Sequence, residues 1–447
     1  SGPRLSASQF YVAPGGSLTV DGGGFAHGEA VTISLQGKRL ASTRAGSGGV
    51  FGPTTVTFPG GSAFGESFLL ATATGSSKRA TVPVYISNTW SDPGHDAGHS
   101  GYAPNDESYN NIIFAGSNSG IYPAWDFIAG SAIGTSVAVA DDVAYVGDAS
   151  GQLLAIDTQN GSNLWTWQNP SGGAIDGAPT VDPALGRVMV GTADGSVDAV
   201  STSGHLLWST SIGGAVNAAT FGGGEIYVSS TDGSSGAVAA LTEATGAVTW
   251  SQSLTGPATA AVSLDTAAGL LIVGASDGTV TALSTAAGAP AWTFTAGGAV
   301  DASPAVSGAS VYVGAADDTL YALSAATGEQ RWTYVTGGPI TASPAILNQE
   351  VFVGAGDGSV TGLSSSGSVD SVDHYDAPVT GLAAVSDAVF VTSGTGLDAI
   401  RPDGLQGWAY DTGGSITAAP AIDDGAVYVG NANGNLFAFT PYGRAPL

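Results

Sequence analysis

One short spacing recurs through most of this chain: a glycine stands four residues before a tryptophan. The pair occurs six times, at Gly161–Trp165, Gly204–Trp208, Gly246–Trp250, Gly288–Trp292, Gly328–Trp332 and Gly404–Trp408. The interval before the last copy is 76 residues, and the first five copies follow one another at intervals of 40–43 residues, which is typical of a four-stranded structural repeat. A repeat of this length limits the fold more strongly than any other feature of the sequence.

Each copy contains more than the tryptophan. A "VYVGxxDGxLxAL" pattern precedes it, as in residues 311–332, and a strand of small residues precedes that, as in residues 301–307. The second strand of the pattern recurs eight times, around Tyr145, Met189, Tyr227, Ile272, Tyr312, Phe352, Phe390 and Tyr428. Short strands joined by Asp-Gly and Asn-Gly turns predict antiparallel hairpins. We therefore predict an eight-bladed β-propeller over residues 122–447.

The ends of the repeat predict how the ring closes. The last copy stops at NLFAFTPYGRAPL, before its fourth strand, and the missing piece stands at residues 122–130 as YPAWDFIAG. We expect this N-terminal strand to complete the eighth blade, because closure removes open sheet edges. The predicted structural blade residues, whose indoles fill the gaps between blades and donate to backbone carbonyls, are Trp125, Trp165, Trp208, Trp250, Trp292, Trp332 and Trp408.

The sixth blade departs from the pattern, since Ser371 stands where its tryptophan is expected, four residues after Gly367. This blade is predicted to be loosened or specialised.

Residues 1–88 carry no such repeat. Six β-branched runs alternate with glycine-rich turns, which predicts a small β-sandwich. The stretch GGSLTVDGGGFAHGEAVTISL (15–35) resembles bacterial immunoglobulin-like modules of secreted surface proteins. The whole chain is thus expected to be all-β, with an immunoglobulin-like sandwich at 1–88, a lead-in segment at 89–121 and the propeller at 122–447.

Charge is divided unevenly along the chain. Residues 1–90 hold six Lys or Arg and three Asp or Glu, whereas residues 91–447 hold four Arg and 33 acids. The acidic part should repel nucleic acid and anionic membranes. Because unlike domains attract, we expect head-to-tail self-association through the candidate assembly contacts Lys38, Arg39, Lys78 and Arg79. No apolar run approaches the roughly 18–20 residues that span a bilayer, so no membrane insertion is expected.

Other features bear on the compartment. The chain has no cysteine, and its one methionine is Met189, so Ser1 is not a translation start. A removed secretion signal, and hence an extracellular or cell-surface location, is the expectation. The sequon Asn160-Gly-Ser162 is a candidate glycosylation site in a hairpin.

The words VYVGxxDG and LYALxxxTG, with the spaced tryptophan, resemble the pyrroloquinoline-quinone-like repeat of the outer-membrane assembly lipoprotein and of quinone-dependent dehydrogenases. The lead-in TWSDPGHDAGHSGYAPNDE (89–107) is similar to the stretch that opens such propellers. The resemblance implies a fold and leaves function open. The dehydrogenases are known for an adjacent cysteine pair and long catalytic loops, which this sequence lacks, so we expect no enzyme activity and no cofactor.

Metal binding has two candidate locations. Asp92, His95, Asp96 and His99 have suitable chemistry, although a structural loop sealing the propeller is the alternative for this segment. The Asp-Gly turns are candidate calcium ligands on a rim, although turn formation already accounts for them.

Two function classes remain open. One is a structural surface protein that associates with itself or with other envelope proteins, in a filament or surface layer. The other is a secreted binding module that presents a propeller face to glycan or protein, with a quinone-dependent dehydrogenase as a remote alternative. Packing at repeat positions accounts for the tryptophans except Trp90 and Trp167, which favours the structural class.

Overall fold

The computed structural model describes residues 3–7, 11–12, 17–35, 38–58, 65–76, 78–86, 102–103, 123–347, 350–385, 388–400, 406–423 and 426–439. Within these ranges the regular structure is entirely β-strand, and none of it forms a helix that crosses a membrane. The chain divides into two compact units, Ser1–Thr89 and Trp90–Leu447.

The first unit contains two sheets. Its strands are β1 (Arg4–Ala7), β2 (Tyr11–Val12), β3 (Ser17–Gly23), β4 (Ala30–Leu35), β5 (Lys38–Arg44), β6 (Phe51–Thr57), β7 (Gly65–Ala73) and β8 (Arg79–Ile86). Three strands form one sheet in the order β1-β3-β6, and five form the other in the order β2-β8-β7-β4-β5. Alternate residues of β4 are buried, so Val31, Ile33 and Leu35 join a core that draws on both sheets.

The leader of this unit pairs within its own unit. β1 pairs antiparallel with β3, and β2 pairs parallel with β8. β1 and β2 therefore belong to different sheets of the same unit.

The described residues of the second unit form eight sheets of four or five strands, which are antiparallel except where β9 (Tyr102–Ala103) joins the last-but-one sheet. β9 is followed by β10 (Trp125–Ile128). Sheet 1 is β11 (Ala138–Ala140), β12 (Val143–Gly147), β13 (Gln152–Asp157) and β14 (Asn163–Gln168); sheet 2 is β15 (Thr180–Asp182), β16 (Arg187–Gly191), β17 (Ser196–Ser201) and β18 (Leu206–Ser211). Sheet 3 is β19 (Ala215–Val216), β20 (Thr220–Gly222), β21 (Glu225–Thr231), β22 (Gly236–Thr242) and β23 (Val248–Leu254); sheet 4 is β24 (Ser263–Asp265), β25 (Leu270–Gly274), β26 (Thr279–Ser284) and β27 (Pro290–Thr295).

The remaining sheets follow the same plan. Sheet 5 is β28 (Ala305–Ser307), β29 (Ser310–Gly314), β30 (Thr319–Ser324) and β31 (Gln330–Val335); sheet 6 is β32 (Ala345–Leu347), β33 (Glu350–Gly354), β34 (Ser359–Leu363) and β35 (Val369–His374). Sheet 7 is β36 (Val379–Val385), β37 (Ala388–Ser393), β38 (Gly396–Ile400) and β39 (Gln406–Asp411); sheet 8 is β40 (Ala421–Asp423), β41 (Ala426–Gly430), β42 (Asn435–Phe439) and β10.

Successive sheets pack face to face in a closed cycle. An apolar cluster joins each of sheets 1 to 6 to the sheet that follows it, and one larger cluster joins sheets 7, 8 and 1. First strands of neighbouring sheets contact one another, as β11 does with β15 and with β40. The first strands therefore surround a common axis, which gives the unit a propeller-like architecture.

Two early segments complete this arrangement. β10 pairs antiparallel with β42, from Trp125 opposite Ala438 to Ile128 opposite Asn435. β9 pairs parallel with β36, on the edge that faces the axis, with Tyr102 opposite Ala384. The chain preceding the repeats thus contributes strands to sheets 7 and 8, which come last in the sequence.

Candidate functional site: the seams between sheets

The junctions between neighbouring sheets are called seams here, and six of them contain the same type of hydrogen bond. In six seams the indole N–H of an outer-strand tryptophan donates to a backbone carbonyl of the next sheet. The pairs are Trp125 to Thr158 (2.7 Å), Trp165 to Thr202 (2.8 Å), Trp208 to Glu243 (3.0 Å), Trp250 to Thr285 (2.9 Å), Trp292 to Ala325 (2.9 Å) and Trp332 to Ser365 (2.9 Å).

In the same six seams, a glycine of one sheet contacts the tryptophan of the preceding sheet. A Cβ atom at these glycines would lie 2.4–2.9 Å from that indole, and all have positive φ. The glycine–indole contacts are Gly161 on Trp125, Gly204 on Trp165, Gly246 on Trp208, Gly288 on Trp250, Gly328 on Trp292 and Gly367 on Trp332. Sequence reasoning noticed the spacing but missed this partner, because the contact crosses from one repeat to the next. Gly404 lies outside the described residues.

The divergent sheet 6 follows from the same geometry. Gly367 faces Trp332 of sheet 5. A tryptophan at the position of Ser371 would instead face sheet 7. In the register of sheet 6, Phe352, Gly362 and Ser371 occupy the positions held by Tyr312, Ala322 and Trp332 in sheet 5. The seam between sheets 6 and 7 therefore lacks the indole bond.

A buried phenol lies beside this altered seam. Tyr375 packs against the apolar cluster of sheets 6 and 7, and its hydroxyl has no hydrogen-bond partner among the described residues. Burial raises the pKa of Tyr375, and the charges of Asp398 and Asp373 raise it further. The phenol is therefore neutral at physiological pH.

Near the axis, hydroxyl groups link the first strands. Thr180 Oγ1 donates to Ala219 O at 2.7 Å, and Thr220 Oγ1 donates to Val262 O at 2.7 Å. Around the mouth of the axis, Thr259 Oγ1 donates to Asp301 Oδ1 at 2.9 Å, and both residues are exposed. This polar mouth is the candidate face for a ligand.

The rim aspartates are engaged in their own turns. Asp148 Oδ1 accepts hydrogen bonds from Ser150 and Gln152, and Asp232 accepts from Ser234 and Ser235. The hydrogen bonds from Ser235 and Ser234 lower the pKa of Asp232 well below its usual range. Among the described residues, no three His, Asp or Glu side chains come together in a group that could hold a metal ion.

Asp198 and Glu243 are two of the buried acidic residues of the second unit. Asp198, on β17, is 1% exposed. Burial raises the pKa of Asp198, although hydrogen bonds from Ser209 and Ser196 partly offset the rise.

Glu243, in the turn after β22, is 5% exposed. Its burial, together with the hydrogen bond and charge of Asp182, raises its pKa to about 7, and Arg187 partly offsets that rise. Sheet 2 supplies both Asp182 and Arg187, so this group of charges spans a seam.

The predicted assembly contacts do not form one cluster. Lys38 lies opposite Leu35 at the edge of the five-stranded sheet, whereas Arg79 lies opposite Thr72 on β8. Three strand spacings and three residues along the strands separate Lys38 from Arg79, which is about 17 Å. Arg39 follows Lys38 on β5, and Lys78 donates from Nζ to Gly24 O at 2.7 Å near Arg79.

The other candidates are placed as follows. Asn160 is exposed in the β13–β14 turn, where its Oδ1 accepts a hydrogen bond from Ser162 N at 2.8 Å. Trp167 is buried in the cluster of sheets 1 and 2, so packing accounts for it as well. The indole N–H of Trp408 is buried and has no partner among the described residues. Outside the described residues lie Asp92, His95, Asp96, His99 and Trp90.

Comparison with known proteins found one matching family model and one curated relative. The family model described as outer membrane protein assembly factor BamB matches residues 122–273 and 193–300. The outer membrane protein assembly factor BamB of Shewanella oneidensis is 32% identical over 114 residues, which are 23% of this chain and 29% of that protein. The match therefore spans less than a third of the length of this curated relative.

Solved structures share the fold at low identity. BamB from Moraxella catarrhalis aligns with a TM-score of 0.63 and 19% identity, over 72% of this chain and 99% of that one. The quinohemoprotein alcohol dehydrogenase of Comamonas testosteroni aligns at 0.66 and 14%, over 79% and 80%. The computationally designed Ika8 protein aligns at 0.63 and 21%, over 70% and 97%. These matches confirm the resemblance to pyrroloquinoline-quinone-like repeat propellers that was predicted from the repeat, and the solved structures share the fold of the second unit.

Proposed function

We propose that this protein is a non-enzymatic structural protein of the cell surface or envelope, with an immunoglobulin-like sandwich ahead of an eight-bladed propeller. The split leader of the first unit supports the immunoglobulin-like assignment, since β1 joins one sheet and β2 joins the other beside β8. The eight sheets and the pairing of β10 with β42 support the closed eight-bladed ring.

The repetition of one seam carries the structural proposal. Six seams use the same indole bond, and the rim carboxylates described above accept hydrogen bonds within their own turns. Polar groups with such structural partners are accounted for by turn and seam formation. The name of the curated relative, an outer membrane protein assembly factor, is consistent with an envelope setting and with protein partners.

Likeness to quinohemoprotein dehydrogenases sets the competing proposal, and a direct assay separates the two. We expect the purified protein, incubated with pyrroloquinoline quinone, calcium and a panel of alcohols and sugars, to give no dye reduction. A known quinone dehydrogenase treated in parallel is the positive control. Sustained turnover by this chain would overturn the non-enzymatic assignment.

Self-association is the second part of the proposal. The acidic propeller unit and the cationic sandwich attract each other between copies, and a contact of unlike surfaces propagates into a filament or layer. Assembly should weaken near 1 M salt, where the Debye length falls to about 3 Å. Sedimentation in low and high salt, with electron microscopy of both samples, measures this. A protein that stays monomeric at high concentration in low salt contradicts assembly.

The placement of the cations sharpens that test. Since Lys38 and Arg39 lie diagonally across the sheet from Lys78 and Arg79, reversing one pair at a time shows which corner makes the contact. Assemblies that form in both reversed variants and resist salt contradict the electrostatic basis while leaving assembly intact.

A binding module is the alternative function, favoured by the polar mouth of the axis. Thr259 and Asp301, with Asp176 and Thr341 at the same positions of sheets 2 and 6, are exposed there. Hydroxyl and carboxylate groups in this arrangement suit a polyhydroxylated ligand such as a glycan. A glycan array probed with the native protein, with Asp301→Ala as the comparison, tests this face. Binding that is unchanged in Asp301→Ala excludes it.

A further inference from the structure

Glu243 occupies the position that accepts the indole bond between sheets 2 and 3. Its carbonyl oxygen accepts from Trp208 Nε1 at 3.0 Å and also from Arg187 Nη1 at 2.9 Å. Both donors belong to sheet 2, so one residue of sheet 3 receives two hydrogen bonds across the seam. Any movement of Glu243 therefore affects both bonds.

Among the six residues whose carbonyl oxygens accept the indole bond, Glu243 is the one with an acidic side chain. The other five acceptor residues are Thr158, Thr202, Thr285, Ala325 and Ser365. The Ala325 seam shows that the indole bond needs no charged side chain. Glu243 must therefore be explained by what its carboxyl group contacts.

That carboxyl group meets a second one across the seam. Glu243 is 5% exposed, and its Oε1 has no hydrogen-bond partner among the described residues. Asp182 lies opposite Arg187, whose Nη1 donates to Glu243 O, and this arrangement brings the carboxyl groups of Asp182 and Glu243 within hydrogen-bonding reach of each other. Two carboxyl groups form a hydrogen bond with each other only when one of them carries a proton. Asp182 also accepts a hydrogen bond from Leu185 N at 3.1 Å, which ties the β15–β16 turn to the pair.

The charged surroundings do not neutralise the pair. Asp182 and Arg187 face Glu243 from sheet 2, and within its own sheet Glu225 lies at the start of β21, where its carboxylate accepts from the Tyr227 hydroxyl. With both carboxyl groups ionised, one guanidinium opposes two negative charges at low exposure. Like charges in such a setting repel each other.

We propose that the seam between sheets 2 and 3 is a proton-operated latch, closed while Asp182 and Glu243 share a proton and loosened when both are ionised. Loosening displaces Glu243, weakens the bonds from Trp208 and Arg187, and releases the β15–β16 turn. The adjoining seam at Thr285 has no carboxyl group at its acceptor position and serves as an internal reference.

The sign and window of the effect follow from linkage. Because the pKa of Glu243 is raised from 4.5 to about 7 in the folded chain, the latch is fully closed below pH 4.5 and weakens as the pH rises to about 7. Above that value the effect is constant. The opening equilibrium should increase on the order of 10- to 100-fold across this window, allowing for screening by solvent.

Hydrogen exchange between pH 4 and pH 8 tests the latch in the full chain. Protection factors, which remove the pH dependence of intrinsic exchange, are compared for peptides covering 182–187 and 243–250 and for the reference peptide 285–292. We expect protection in the first two to fall between pH 4.5 and 7 while the reference stays level. Glu243→Gln should remain closed throughout, because its amide donates to Asp182 without a charge.

Two further variants complete the experiment. Glu329→Gln removes an exposed acid beside another hairpin turn and should behave like the wild type. If Glu243→Gln does not fold, Asp182→Asn, whose amide donates to Glu243, should give the same level profile. The proposal is overturned if the seam and the reference respond alike to pH, or if the amide variants keep the wild-type slope. Protection restored at pH 7.5 by calcium chloride would also overturn it, since the pair would then be a cation site.

Discussion

Replacing Gly288 by alanine adds one methyl group at the centre of a seam. The new Cβ would lie 2.4 Å from Cε3 and 2.7 Å from Cζ3 of Trp250. Ordinary carbon contacts are about 3.5–4.0 Å, so the indole must shift by about 1 Å. That shift also strains its 2.9 Å hydrogen bond to Thr285 O.

Two costs add in this variant. A left-handed alanine, at a φ near 64°, costs roughly 1–2 kcal/mol. Forcing a methyl group into a packed site costs roughly another 1–3 kcal/mol. The free energy of unfolding should therefore fall by roughly 2–5 kcal/mol.

Gly308→Ala is the matched control. Gly308 has a φ of 55°, and a Cβ there meets nothing within 4 Å. It should show the backbone cost alone, roughly 1–2 kcal/mol. Urea unfolding followed by tryptophan fluorescence and circular dichroism measures both variants. Equal losses in Gly288→Ala and Gly308→Ala would refute the argument that the glycine spacing exists to seat the preceding tryptophan.

Three further predictions concern closure, turn strain and pH. Deleting residues 122–130 removes β10 and exposes the edge of β42, so the protein should aggregate or lose cooperative melting in light scattering and calorimetry; a truncated chain that melts like the parent contradicts closure. Asp318→Gly should raise the free energy of unfolding by about 1 kcal/mol. Asp318 has a φ of 64°, and the equivalent turns of sheets 4 and 6 have Gly278 and Gly358 at this position. A loss of stability in urea titrations would argue against backbone strain at Asp318. Asp198→Asn should raise the free energy of unfolding at pH 7 by about 1 kcal/mol and leave it unchanged below pH 3.8. The reason is that wild-type stability declines as the pH rises from 3.8 toward the raised pKa of Asp198. Identical pH profiles of the two proteins in urea unfolding would show that burying this carboxylate costs nothing.

Much of the architecture could be predicted because the repeat acts locally. Within most sheets each strand pairs with the next along the chain, so period, turn residues and alternation indicate the strands from β11 to β42. The pairing of Trp125 with Ala438 joins residues far apart in sequence, but the truncated last repeat pointed to it. The parallel pairing of β9 with β36 had no comparable signal, because a two-residue strand has no pattern of its own.

The seams were harder to predict because their contacts join different repeats. The sequence shows Gly367 without its tryptophan and presents that as an irregularity of one blade. The structure assigns Gly367 to Trp332 and Ser371 to the following seam, so a single substitution explains the departure. Charge counts, likewise, cannot tell that Lys38 and Arg79 lie at different corners of a sheet.

By itself, the sequence determined the strand repeat, the turn chemistry and the resemblance to propeller repeats, since these depend on neighbours in the chain. Only the tertiary structure decided which glycine supports which indole, which hydroxyls join the first strands, and that Asp182 and Glu243 share a seam. The physical reason is that an ionised carboxyl group becomes costly where burial removes water, and more costly still where a second acid approaches. Residues about 60 positions apart acquire that environment from the packing of two sheets, and no local pattern records it.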